Sequence, residues 1–139
     1  MAQSMTQPLL TVKLHLRISE QDVHYAGGLV DGARLMALFG DAATELCIRY
    51  DGDEGLFRAY QNVEFLAPVH AGDFLEVTGE LLSAGRTSRQ MRFEAHRIIQ
   101  PAPTPENDSA ADVLQTPQLI ARAEGTCVVP LAKQRRKER

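Results

Sequence analysis

The sequence predicts an α+β domain, one long helix on an antiparallel sheet of five strands, and three observations predict it. Residues 10–18 alternate without a fault between apolar and polar side chains. Residues 29–48 carry apolar side chains at helical spacing. After them, LFRAYQNVEFL, GDFLEVTGELL, TSRQMRFEAHRII and QLIARAEGTCVVP each have the composition of a strand. A lone helix among consecutive strands does not supply the repeated crossovers of a parallel sheet, so it belongs on one face of an antiparallel one.

In the first strand Leu10, Val12, Leu14, Leu16 and Ile18 point one way, and Thr11, Lys13, His15 and Arg17 the other. A turn rich in glycine and aromatic residues, DVHYAGG, leads from it into the helix. On that helix Leu35, Met36, Phe39, Ala43, Leu46 and Cys47 share a face, with Asp31, Arg34, Asp41, Thr44, Glu45 and Arg49 opposite. Gly32 and Gly40 each cost about 1 kcal/mol of helix propensity relative to Ala, which implies close packing or close ligand approach at both. DGDEG, residues 51–55, is a turn, and Gly72–Asp73 and Gly85–Arg86 punctuate the later joins. Residues 100–117, rich in Pro and small polar residues, read as a long excursion and not as strand. One 20-residue helix leaves part of the sheet, notably residues 10–18 and FLEVTGELL, without an apolar cover, so self-association is expected, as a homodimer at least.

The chain of 139 residues suits one domain with one core, with a short N-terminal extension (1–9), the domain (10–131) and a basic tail (132–139). Hydrophobic residues at 44% and charged ones at 24% are ordinary for a soluble protein, no apolar run approaches the ~20 residues of a membrane span, and MAQSMTQPLL has no secretory pattern. A cytoplasmic protein without a membrane partner is expected. Cys47 and Cys127 are too few for a disulfide framework and lack metal-ligand spacing, so both are read as buried small hydrophobes and no metal site is expected. The last seven residues, KQRRKER, carry five positive charges and one negative, but no interleaved aromatic residue offers the stacking that a nucleic-acid site uses. A solvated terminus is the reading taken.

Functional candidates gather at the start of the helix. A helix N-terminus leaves amides free and favours a carbonyl oxygen or an anion there, and Gly27, Gly28 and Leu29 are taken as backbone donors because glycine admits close approach. Asp41 and Glu45 are neighbours one turn apart, either a proton-transfer pair or a solvated pair with Arg49 beyond. Asp31 is either a further acid of the site or a helix cap. His24 and Tyr25 stand in the turn, to orient an amine or to be satisfied within it. Arg86, Ser88 and Arg89, at a strand start, offer donors to phosphate or are exposed hairpin groups. Glu64 reads as an outward charge between inward Val63 and Phe65.

The element order, with VEFLAPVHAGDFLEVTGELLSAGRTS, resembles the hot-dog fold of acyl-CoA thioesterases and dehydratases. Within it, DVHYAGGLVDGAR, FGDAATEL, DGDEGLF, NVEFLAPVHAGD, the DSAADVL loop and ARAEGTCVVP are similar to the 3-aminobutyryl-CoA and β-alanyl-CoA ammonia-lyases, from about Leu14 to Gln134. The resemblance implies a homodimer whose two sheets join into one, CoA lying along the subunit interface, acyl chemistry at the helix start and no metal or prosthetic group, CoA being part of the substrate. Some hot-dog thioesterases carry an acidic residue directly after the glycine of the turn, where this chain has Gly28. Others carry it within the helix in a pattern like L-A-D-x-A, to which FGDAA makes Asp41 the counterpart.

The activity so implied is elimination of ammonia from, or its addition to, a short 3-aminoacyl-CoA, with 3-aminobutyryl-CoA and crotonyl-CoA as the pair. Such chemistry needs a base near C2 and donors for the enolate-like oxygen. A thioesterase using the same carboxylate on water, and a noncatalytic acyl-CoA-binding module, are the two alternatives.

Overall fold

Alternation in the first strand is reproduced in the fold. A computed structural model describes residues 7–136. Strand β1, Leu10–Arg17, turns Val12 into the core with Leu10, Leu14 and Leu16 half-buried, and leaves Thr11, Lys13, His15 and Arg17 exposed. A small antiparallel pair follows, β2 (Val23–Tyr25) with β3 (Leu29–Val30), turning through Gly27 and Gly28, both at φ +79°. A side chain is strained in that left-handed region, which is why the turn uses glycine.

Helix α1 spans Gly32–Asp51, three residues later at each end than the apolar pattern predicts. Leu29 and Val30 are strand because Leu29 pairs with Tyr25 and bridges to His70, and Val30 pairs with Val23. Asp31, with extended backbone, then caps the helix by accepting the Arg34 N–H at 3.3 Å. Gly52, at φ +76°, ends it with its N–H on the Ile48 carbonyl at 2.8 Å. The buried face is Leu35, Leu38, Phe39, Ala42, Ala43, Leu46 and Cys47; Leu38 and Ala42 join the predicted set and Met36 is only half-buried.

Four strands complete the sheet: β4 (Leu56–Phe65), β5 (Phe74–Ala84), β6 (Ser88–Pro101) and β7 (Ala111–Val128). Their order is β1-β5-β6-β7-β4, antiparallel throughout, with α1 laid across one face. This is the α+β hot-dog arrangement that the sequence predicts. The helix packs closely on the sheet at Gly79, where a Cβ would lie 3.1 Å from that of Ala42. Phe39 stacks on Phe93 with ring centroids 5.4 Å apart.

Leu75, Val77 and Leu81 of β5 are fully buried within a single chain, so the expected shortfall of apolar cover is not present. Alternation sends most apolar residues to the helix side, and the other face carries cross-strand ion pairs such as Arg92–Glu80 (2.7 Å) and Arg122–Glu64 (2.5 Å). Residues 100–117 are also more regular than expected. Ile99, Gln100 and Pro101 pair with Val113, Asp112 and Ala111, so the loop proper is residues 102–110. The prolines are accommodated at places that need no ladder donor: the pairing skips from Arg97–Gln118 to Ile99–Val113, and Pro117 lies in the skipped stretch.

Of the predicted tail, residues 132–136 are described, and they are docked. Gln134 Nε2 donates to the carbonyls of Arg86 (2.9 Å) and Val129 (3.0 Å), and Arg135 N–H to that of Asp51 (2.9 Å), at the carbonyl end of α1. A cation there is favoured by the helix dipole. The first six and last three residues, with most of the N-terminal extension and the tip of the tail, lie outside the described residues. No helix among the described residues is long and apolar enough to cross a membrane.

Candidate active site

The start of α1 borders an open cavity of about 440 Å³ lined by Tyr25, Leu29, Asp31, Gly32, Phe65 and Leu66 together with Val30, Leu35 and residues 67–69. Its walls are apolar. Asp31 is the one acid among them, with its Oδ1 on the Arg34 N–H and its Oδ2 3.7 Å from His24 Nδ1. His24 meets Tyr25 edge-on at 4.7 Å. Arg34 is held over the same turn by Asp22 at 2.9 Å.

A helix's first amides have no intrahelical partner, and with Arg34 N–H taken by Asp31 the Gly32 residue that lines the cavity brings one such amide to it. Gly32 lets the Phe65 ring lie against the helix start, since a Cβ there would lie 2.5 Å from the ring. The close approach inferred from the two helix glycines is therefore right at Gly32. At Gly40 no side chain of the same chain packs, since a Cβ would meet nothing within 4 Å. Sequence reading takes Gly27, Gly28 and Leu29 as backbone donors because glycine admits close approach, and the fold sets them just ahead of the helix, in the turn and in β3. In the fold Leu29 is drawn into strand pairing and the Gly28 carbonyl holds the Ala71 N–H at 3.2 Å, although both glycines face open space.

The far wall, residues 66–69, is fixed by a buried cation that the sequence did not single out. Arg97 Nη1 donates to the Pro68 carbonyl (2.7 Å) and to Asp73 (3.0 Å), and its Nη2 to Gln118. Asp73 also accepts the His70 N–H at 2.9 Å. Phe65, expected to point inward with Val63, is half exposed as the lip of the cavity. A strand's last side chain is freed from alternation because the chain turns away after it.

Other candidates are elsewhere. Asp41 is ten residues beyond Asp31, about 15 Å along a helix, and Glu45 further still, paired with Arg49 at 2.8 Å. Neither lines the cavity of its own chain. Arg86, Ser88 and Arg89 lie at the opposite end of α1. Arg89, read as a phosphate donor, is 1% exposed and bidentate to Asp51 (2.8 and 2.9 Å), with its remaining donors on the Gly85 and Ser88 carbonyls. Its pKa is raised, first by the hydrogen bonds it donates to Asp51, and a side chain so buried is turned away from any surface ligand. The partner Asp51, read as a turn residue, is the fully buried last residue of the helix. Glu64 is the outward charge expected, on Arg122.

Cys47 and Cys127 are buried and free, as expected, and lie side by side. The hydrogen bond between them lowers the Cys47 pKa and raises that of Cys127. Tyr60, whose hydroxyl donates to the Met36 carbonyl at 3.4 Å, has its pKa pushed up to about 12 by burial. Among the described residues no three His, Cys, Asp or Glu side chains are grouped to hold a metal ion.

A helix start opening onto an apolar cavity, on a hot-dog sheet, defines a class, and the chain belongs to the thioesterase superfamily, whose profile it matches over residues 27–100. Within that class it is similar to a 3-aminobutyryl-CoA ammonia lyase of Acetoanaerobium sticklandii, with 61% identity over 123 residues, 88% of this chain and 97% of that protein. The β-alanyl-CoA:ammonia lyase from Clostridium propionicum superposes with a TM-score of 0.87 at 37% identity, covering 94% of this chain and 92% of that one. A hexameric thioesterase from Yersinia pestis, 16% identical with a TM-score of 0.67 over 84% of each chain, shares the fold.

Proposed function

We propose that the protein is a cytoplasmic acyl-CoA ammonia-lyase that eliminates ammonia from, or adds it to, C3 of a short 3-aminoacyl-CoA, with 3-aminobutyryl-CoA and crotonyl-CoA as its pair. The observation that carries this reading is the 61% identity, along nearly the whole of the relative's length, to a 3-aminobutyryl-CoA ammonia lyase. The cavity supports it. Its apolar walls suit a four-carbon acyl chain, and Asp31, the one acid among its lining residues, takes the C2 proton in this reading. The Gly32 amide, at the helix start, donates to the thioester oxygen, whose negative charge grows as that proton leaves. His24, beside Asp31, and Tyr25 orient the amine.

This chemistry uses no metal or prosthetic group, CoA being part of the substrate. In a homodimer, Asp41, Glu45, Arg86 and Ser88 reach this cavity only from the second protomer. Incubation of the purified protein with crotonyl-CoA and ammonium should consume the enoyl absorbance and give an amino adduct without free thiol. Absence of any ammonium-dependent loss across several short enoyl-CoAs overturns the reading, and release of CoA thiol at a comparable rate replaces it with a thioesterase.

A further inference from the structure

Strand β4 is the last strand of the sheet on its side, bonded to β7 and open along its other edge. An open edge of ten residues is a template for another strand. Both of its ends carry exposed apolar side chains, Leu56 at 73% and, at the other end, Phe65 at 51% and Leu66 at 48%. Each end also borders a cavity. Beside Phe65 is the one at the start of α1; beside Leu56 is a second, of about 570 Å³, at the far end of α1, lined by Ile48, Leu56, Lys133 and the turn 52–55. Helix and strand thus run in opposite directions, with Gly32 under Phe65 and Ile48 near Leu56.

A strand paired antiparallel with its own copy, about a twofold axis near its middle at Tyr60 and Gln61, lays its first residue beside the partner's last. Leu56 then covers Phe65 of the partner subunit, and the second cavity of one protomer opens onto the first cavity of the other. The turn 52–55 brings two acids to that junction. Asp53 is occupied, its Oδ1 accepting the Gly55 N–H at 2.9 Å. Glu54 is exposed, and no hydrogen bond or ion pair holds it among the described residues.

We propose that Glu54 of each protomer enters the acyl cavity of the other and binds the ammonium of the 3-aminoacyl thioester. The inference rests on the ammonia-lyase reading and supplies what that reading lacks. Asp31 is the one acid lining the cavity of its own chain, and a carboxylate that pairs with the substrate ammonium is a weaker base for it. A second carboxylate on the ammonium frees Asp31 for the proton.

Three measurements on the intact oligomer test it. In Glu54→Gln, KM for 3-aminobutyryl-CoA should rise by about tenfold, the effect of losing one charge-assisted contact, while Kd for butyryl-CoA, which lacks the ammonium, should change by less than about twofold. Equal changes for both ligands, or none, overturn the proposal. A heterodimer of one Asp31→Asn and one Glu54→Gln protomer should keep about half the wild-type rate below KM, because one of its sites has both residues intact. A rate no higher than the mean of the two parent variants overturns it. In L56C/F65C the two cysteines stand at opposite ends of a ten-residue strand, too far apart to bond within one chain, and mild oxidation should join protomers covalently. Failure to cross-link overturns the shared geometry. A cross-linking protein whose wild type shows no ammonium-dependent reaction removes the ammonia-lyase reading and this proposal with it, whereas an active wild type with an unchanged Glu54→Gln removes the proposal alone.

Discussion

Asp31 has two jobs that a single substitution separates. As a cap it needs only an oxygen to accept the Arg34 N–H, and Asn serves nearly as well as Asp in that position. As a base it needs the negative charge, which Asn lacks. Asp31→Asn is therefore expected to lower the lyase rate by about 10²-fold or more while changing stability by less than about 1 kcal/mol, read by steady-state kinetics beside thermal unfolding. Unchanged turnover would return the role of base to Asp41. A second prediction concerns Tyr60, whose pKa stands at about 12 in the fold against an ordinary value of 10.0. The folded state holds the phenol proton more tightly than the unfolded chain does, so this contribution to stability is complete below pH 10 and lost as pH rises toward 12. Urea unfolding from pH 9 to 12 should show that decline, absent in Tyr60→Phe.

At the level of elements, the junctions decide more than the interiors. The Asp51–Arg89 pair ties the last turn of α1 to the start of β6 from a position without solvent, and removing one member leaves the other charge buried. Arg89→Met is expected to cost about 3–5 kcal/mol, measured by urea denaturation. Glu45→Gln, which removes an exposed pair within the same helix, should cost less than about 0.5 kcal/mol. Gly32→Ala pits two effects against each other. The alanine gains about 1 kcal/mol of helix propensity, but its Cβ must push aside the half-exposed Phe65 ring. The ring has solvent to swing into, so stability should hold or rise slightly while KM for the acyl-CoA increases; a variant with unchanged KM would show that Phe65 is not a wall of the site.

For the whole molecule, the dimer proposed above is argued from the free edge of β4 and the apolar residues at its ends, not from a bare sheet. Dilution monitored by sedimentation should show dimers or larger species giving way to monomers, with activity lost in step. A fully active, stable monomer would count against a site shared between protomers. The sequence, by itself, determined the succession of a strand, a helix and four further strands, and the amphipathic face of that helix, because strand alternation and helical spacing are local signals set by side-chain direction. Close packing at Gly32 was legible for the same reason: a glycine inside a helix has a cost that something must repay. Only the tertiary structure decided that Leu29 and Val30 leave the helix for a strand, that Arg97 and Phe65 build the cavity's walls, and that Arg89 is spent on Asp51, 38 residues away. Those outcomes rest on which distant groups meet once the sheet has formed, and in a linear sequence a buried, paired arginine and a free one are the same residue.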